Sequence, residues 1–146
     1  NIFSLQLENL CRLESLIKRE IARYRAHYFN DSATYIAEWP CKSELHGWCV
    51  KLRRQGFQSR HIHPSGWISG VVYLKVTPSI TGEEGAIEFS LNGTNYEAND
   101  SPSRLYRPAL GDIFLFPSSL HHRTIPFQAD VDRISIAFDL KPVLAT

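Results

Sequence analysis

Four of the six histidines fall into two short clusters, His61-Ile62-His63 and His121-His122. Each cluster flanks a stretch with strand character. On an extended backbone residues i and i+2 project to the same side, so His61 and His63 can direct two imidazoles at one point. A third imidazole, from His121 or His122, can arrive from a distant strand. Together they would make a facial set of three nitrogen ligands with open positions for substrate or oxygen. A His-x-His pair alone is more often an accident of surface or core, and it is the second cluster that turns the reading toward a metal. His27 and His46 stay outside it, one on an amphipathic helical stretch and the other at the edge of a turn.

Arg133-Ile134-Ser135 opens a strongly alternating segment, with Ile134, Ile136 and Phe138 on one face and Arg133, Ser135 and Ala137 on the other. Pointed into a barrel, the Arg133 guanidinium needs an anion. It offers two parallel donors to a carboxylate, and the Ser135 hydroxyl on the same face adds another hydrogen bond, so a dicarboxylic acid would fit. Pointed outward, Arg133 would pair with Asp130 or Asp132. Tyr73, on the strand after the first cluster, either packs in the core or hydrogen-bonds a co-substrate.

These residues need a scaffold. Apolar residues recur at steps of three and four from Leu5 to Tyr28, which predicts one long amphipathic helix. Asn30-Asp31-Ser32 supplies turn chemistry to end it. After Pro40 the segments become short, β-branched and aromatic, punctuated by Gly and Pro. Strands are expected at Trp48 to Arg53, Trp67 to Val76, Ala86 to Leu91, Asp112 to Phe116, Arg123 to Pro126 and Arg133 to Leu140. Six or more strands suit a barrel or jelly roll, and Asn92 to Pro108 reads as a long polar loop. Trp48, Trp67 and that loop are candidates to shape a substrate mouth.

The 146 residues, 43% of them hydrophobic, can close one sizeable core. A single domain over 1–146 is expected, with a helical support region (1–40) and a β core (41–146). Sixteen Lys and Arg against fifteen Asp and Glu leave a net charge of +1. No global field then recruits nucleic acid or an anionic membrane, and any partner must be recognised locally. No run approaches the roughly 20 apolar residues that cross a bilayer, and no signal peptide is evident, so a cytoplasmic location is expected. Cys11, Cys41 and Cys49 are odd in number and show no Cys-x-x-Cys spacing, which argues against a disulfide framework. The chain starts at Asn1 and contains no Met, which leaves room for a region preceding it.

Several stretches resemble one family: Trp48, Gly56-Phe57-Gln58, His61-Ile62-His63-Pro64-Ser65-Gly66-Trp67, Ser69-Gly70-Val71-Val72-Tyr73-Leu74, Gly111-Asp112-Ile113-Phe114-Leu115-Phe116-Pro117-Ser118, His122 and Arg133-Ile134-Ser135-Ile136. They are similar to the 2-oxoglutarate-Fe(II) oxygenases, double-stranded β-helix dioxygenases that often follow tetratricopeptide repeats. The resemblance covers about the last hundred residues. It implies a jelly-roll, cupin-like barrel supported by the N-terminal helix, with Fe(II) held by His61, His63 and His122. His122 is chosen over His121 because the family spacing puts the ligand six residues after Phe116. The distal carboxylate of 2-oxoglutarate would meet Arg133, with Ser135 and Tyr73 nearby. The implied reaction is oxidative decarboxylation of 2-oxoglutarate to succinate, coupled to hydroxylation of a small molecule or a protein side chain. In one respect the sequence departs from the superfamily: His63 stands where a carboxylate is usual, which makes the centre one charge more positive. Two rivals are a cupin-type metal enzyme, which would not need Arg133-x-Ser135, and a non-catalytic module that binds a metal or small acid.

Overall fold

A computed structural model describes residues 1–77, 82–93 and 101–143. The chain opens with a 3-10 turn, Ile2–Leu5, followed by the long helix α1, Glu8–His27. The periodicity from Leu5 predicts an uninterrupted helix, but Gln6 has a left-handed backbone (φ 53°). Its backbone and side-chain N–H groups both donate to the Phe3 carbonyl. That closes the first turn and forces the helix to restart at Glu8. Ile17 and Ile21 form the buried stripe of α1. On its solvent side Glu8–Arg12, Glu14–Lys18 and Glu20–Arg23 pair at helical spacing, each contributing only a few tenths of a kcal/mol. Burial, rather than charge pairing, fixes the helix to the rest of the chain.

Asp31 makes the expected turn by accepting the Ala33 N–H at 2.8 Å. A one-turn helix unforeseen from the sequence, α2 (Thr34–Ala37), follows it. The Tyr35 hydroxyl of α2 lies 3.1 Å from that of Tyr24, and the Tyr35 carbonyl accepts the Trp67 indole N–H at 2.7 Å.

Among the described residues seven strands follow: β1 (Ser43–Leu52), β2 (Ile68–Lys75), β3 (Ile87–Ser90), β4 (Ser103–Tyr106), β5 (Ile113–Pro117), β6 (His121–Thr124) and β7 (Arg133–Pro142). They form two antiparallel sheets with orders β1-β7-β2-β5 and β4-β3-β6. The architecture is the jelly roll of a double-stranded β-helix, mainly β with helical support. Three details depart from the sequence reading. Strand β1 begins at Ser43, so His46 lies inside a strand, opposite Asp139, and not at a turn edge. Strand β6 starts at His121, which carries both histidines into the ladder. Strand β4 lies within the stretch read as a loop: its residues are all exposed, so no burial alternation marks them, and pairing with β3 holds the strand. Residues 94–100 of that stretch lie outside the described residues.

Strand β7 pairs with β1 on one side and β2 on the other. One face, Ile136, Phe138 and Leu140, packs with Ile17, Ile21, Leu45, Ile68 and Val72 in the core beneath α1. The opposite face carries Arg133, Ser135 and Ala137 into the space between the sheets. The helix-facing side is packed tightly enough to require glycine at position 70. A Cβ there would sit against the Phe138 ring and 2.6 Å from the Phe114 carbonyl oxygen, which belongs to the neighbouring strand and cannot retreat without breaking the ladder. Gly70→Ala is therefore expected to lower the free energy of unfolding by about 1–3 kcal/mol. The effect would appear as a lower urea midpoint with an unchanged slope; an unchanged midpoint would contradict this account of the packing.

Candidate metal centre and anion pocket

The segment before β2 carries two of the histidines. It runs beside β6, where Thr124 N–H donates to the Gln58 carbonyl, and His61 and His122 exchange both backbone hydrogen bonds at 3.0 and 3.1 Å. Two residues on, His63 N–H donates to the Ser118 carbonyl, and a tight turn closes when Gly66 N–H donates to the His63 carbonyl. Backbone pairing alone thus brings His61, His63 and His122 together. One ring nitrogen from each lies within 4.8 Å of the others. His121 precedes His122 on the strand, so alternation turns it away, and it is not part of this cluster. His27, at the end of α1, and His46, beside Glu44, also lie apart.

The tautomers follow from the acceptors. Nδ1 of His61 is 2.6 Å from the Ser59 carbonyl, Nδ1 of His122 is 3.0 Å from the Leu120 carbonyl, and Nδ1 of His63 is 2.6 Å from a carboxylate oxygen of Asp139. A carbonyl can only accept, so the first two rings carry their proton on Nδ1 and keep an Nε2 lone pair for a ligand. Burial pushes the pKa of His122 down to about 4; its two neighbouring imidazoles push the same way, while the Leu120 carbonyl opposes them. At neutral pH His122 is uncharged and able to coordinate.

Arg133 is only 2% exposed and lies on the wall of the same cavity, about 280 Å³ in volume, with Trp48, Tyr73, Phe116 and Ser135. The Tyr73 hydroxyl, 3.1 Å away, accepts from its guanidinium, which also lies over the Tyr73 ring. Among the described residues its buried Nε has no hydrogen-bond partner. Burial lowers the Arg133 pKa, with Tyr73 acting in the opposite direction. The outward alternative is not what the structure adopts, because Asp132 pairs with Lys51 at 2.9 Å and Arg53 at 3.6 Å instead. A cation buried against a phenol, with one donor unmatched, is a half-made anion site. Of the two tryptophans considered for the substrate mouth, Trp48 lines the cavity beside His63 while Trp67 packs against the helix-side core. Larger hollows of about 810 and 730 Å³ flank α1, but neither holds this constellation.

The profile of a family described as "Putative 2OG-Fe(II) oxygenase" matches residues 46–139. The chain belongs to this family. Membership implies Fe(II) and 2-oxoglutarate as cofactors, and both the three-imidazole cluster and the unmatched guanidinium fit them. It also sets the cupin alternative aside. Among solved structures, a Pseudomonas putida prolyl-4-hydroxylase is 16% identical with a TM-score of 0.65, covering 94% of this chain and 69% of that one. An oxidoreductase of the 2OG-Fe(II) oxygenase family from Burkholderia pseudomallei is 12% identical with a TM-score of 0.55, covering 82% of this chain and 55% of its own. HygX from Streptomyces hygroscopicus, solved with nickel and 2-oxoglutarate bound, is 16% identical with a TM-score of 0.53, covering 86% and 68%. At these identities the likeness is one of fold. No curated protein matches the sequence. Among the described residues no helix is long and apolar enough to cross a membrane.

The geometry missed by the sequence reading is the polar group behind His63: Asp139, Ser69 and Ser118, all buried. One signal was available, since Asp139 continues the inward face of Arg133, Ser135 and Ala137. The buried state of His122 also has a measurable consequence. An unfolded chain protonates it near its ordinary 6.5, whereas the folded chain resists protonation until about 4. Between those values the unfolded state holds more protons, so stability falls as pH drops through that window. The shift corresponds to on the order of 3 kcal/mol. Urea unfolding of metal-free protein at pH 7 and pH 4 is expected to show this extra loss in wild type but not in His122→Gln; parallel pH dependences would contradict it.

Proposed function

We propose that this chain is an Fe(II)- and 2-oxoglutarate-dependent hydroxylase in which His61, His63 and His122 hold the metal. In this reading Arg133 binds the distal carboxylate of 2-oxoglutarate, with the Tyr73 and Ser135 hydroxyls beside it. The observation that carries it is the buried, incompletely partnered Arg133 on the wall of the cavity that also holds the three imidazoles. A metal alone would not require a guanidinium there, and a dicarboxylic acid would not require three nitrogen donors. Both together match a co-substrate that chelates the metal at one end and is anchored at the other.

When bound, Fe(II) and 2-oxoglutarate supply the redox chemistry, oxidative decarboxylation to succinate with insertion of oxygen into a C–H bond. The chain does the positioning. Nδ1 hydrogen bonds to the Ser59 and Leu120 carbonyls hold His61 and His122 with Nε2 free. Arg133 and Tyr73 set the depth and direction of the acid, and Phe116, packed on the His122 ring, helps keep bulk water from that ligand. A cavity of about 280 Å³ is at the small end for ligands. Once the co-substrate is in place, the primary substrate can present little more than one reacting group past Trp48. A protein side chain or a small molecule would satisfy that limit.

The experiment is succinate quantitation after metal-free protein is loaded with Fe(II) and 2-oxoglutarate and exposed to oxygen. Wild type is expected to form succinate even without its primary substrate. His122→Ala should abolish it, while Arg133→Ala should raise the 2-oxoglutarate concentration needed by roughly ten- to a hundred-fold, the scale of a lost charge-assisted hydrogen-bond pair. Metal binding with no 2-oxoglutarate dependence would overturn the reading in favour of a non-catalytic binding module.

A further inference from the structure

The three imidazoles are not equivalent. His61 and His122 each give their Nδ1 proton to a peptide carbonyl, a neutral acceptor. His63 instead faces the Asp139 carboxylate at 2.6 Å. The same Asp139 oxygen accepts the Ser69 hydroxyl at 2.7 Å, and Ser69 lies 2.8 Å from the Ser118 hydroxyl. If Ser69 spends its proton on Asp139, Ser118 must donate to Ser69, so the hydroxyl chain runs toward the carboxylate. Asp139 is 4% exposed, Ser69 0% and Ser118 2%. Gly66 leaves the space for them, since a Cβ there would come within 2.5 Å of Ser118 Oγ and 3.3 Å of Asp139 Cγ. Register explains the meeting: Ser69 and Asp139 are direct cross-strand partners on β2 and β7.

We propose that Asp139 is a positioning residue of the metal centre, fixing His63 with Nε2 toward the metal and supplying, one hydrogen bond away, the negative charge that three neutral imidazoles lack. This rests on the metal-centre reading above. The charge count favours it. Fe(II) and Arg133 bring three positive charges into a buried space, 2-oxoglutarate brings two negative ones, and the Asp139 carboxylate completes neutrality without occupying a coordination position. A buried carboxylate whose partners were only hydroxyls would carry a desolvation cost with no cation to offset it. A carboxylate hydrogen-bonded to the far nitrogen of a metal-bound imidazole raises the basicity of that ligand, and losing such a partner typically weakens metal binding roughly ten- to a hundred-fold.

The test uses Co(II) alone as the probe, titrated into metal-free wild type, Asp139→Asn, Asp139→Ala and Ser69→Ala, reading affinity and the visible d–d spectrum. Nitrogen-detected NMR of the metal-free proteins reads the His63 tautomer. Asp139→Asn keeps the shape and an acceptor for the His63 proton but removes the charge. It is expected to bind Co(II) roughly ten-fold or more weakly, with the His63 proton still on Nδ1. Asp139→Ala should bind more weakly again, show a mixed tautomer and alter the Co(II) spectrum. Ser69→Ala, which leaves the carboxylate in place but unsupported, should lose a few-fold in affinity and stands in should Asp139→Ala fail to fold. Affinities within two-fold of wild type in Asp139→Asn would overturn the electrostatic role, leaving a polar packing network. Wild type that binds no Co(II) would overturn the metal-centre reading itself, and this inference with it.

Discussion

Strand β7 is buried on both faces, and that constraint organises the molecule. A strand at the centre of a sheet alternates its side chains strictly. Because α1 covers one side and the smaller sheet the other, alternate residues of β7 serve a packed hydrocarbon core and the internal cavity. Ile136, Phe138 and Leu140 join the helix-side core. Arg133, Ser135 and Ala137 reach the cavity, and Asp139 meets His63 from the same face. Shifting the register by one residue would exchange the two sets, placing a guanidinium and a carboxylate under α1 and opening the core to the cavity. Core packing and site chemistry are thus enforced by the same ladder.

The site itself is an electrostatic arrangement held open by burial. Three imidazoles converge on one point, with burial holding the pKa of His122 down, while a buried guanidinium has one donor unmatched and no carboxylate partner among the described residues. Both arrangements leave polar atoms without a full set of partners. Each is relieved by a complementary ligand, the first by a cation and the second by an acid. A nearby charge shows the opposite treatment: the buried Glu88 on β3 is matched by Arg60 and Arg123, neighbours in sequence of His61 and His122. Those pairs tie the segment before β2 and strand β6 to β3.

Much of this was legible in the sequence where alternation was strong. The period of α1 and the shared face of Arg133 and Ser135 follow from side-chain direction, whereas the choice of His122 over His121 came from the spacing of the family it resembles. What escaped was set by tertiary structure. Strand β4 has no buried face to announce it and exists because β3 needed a partner. The break at Gln6 depends on a backbone conformation that no composition signals. Asp139 was not singled out in the sequence, although its parity with Arg133 places it on the inward face. The imidazole at position 63, where the resemblance leads one to expect a carboxylate, has a carboxylate directly behind it.

The most direct measurement is anaerobic absorption spectroscopy of metal-free protein titrated with Fe(II) and 2-oxoglutarate, separately and together. The account predicts a visible charge-transfer band only when both are present, because the acid must chelate a metal held by the three imidazoles while Arg133 anchors its other end. No band, or one unchanged in Arg133→Ala at limiting 2-oxoglutarate, would contradict a centre built from these residues.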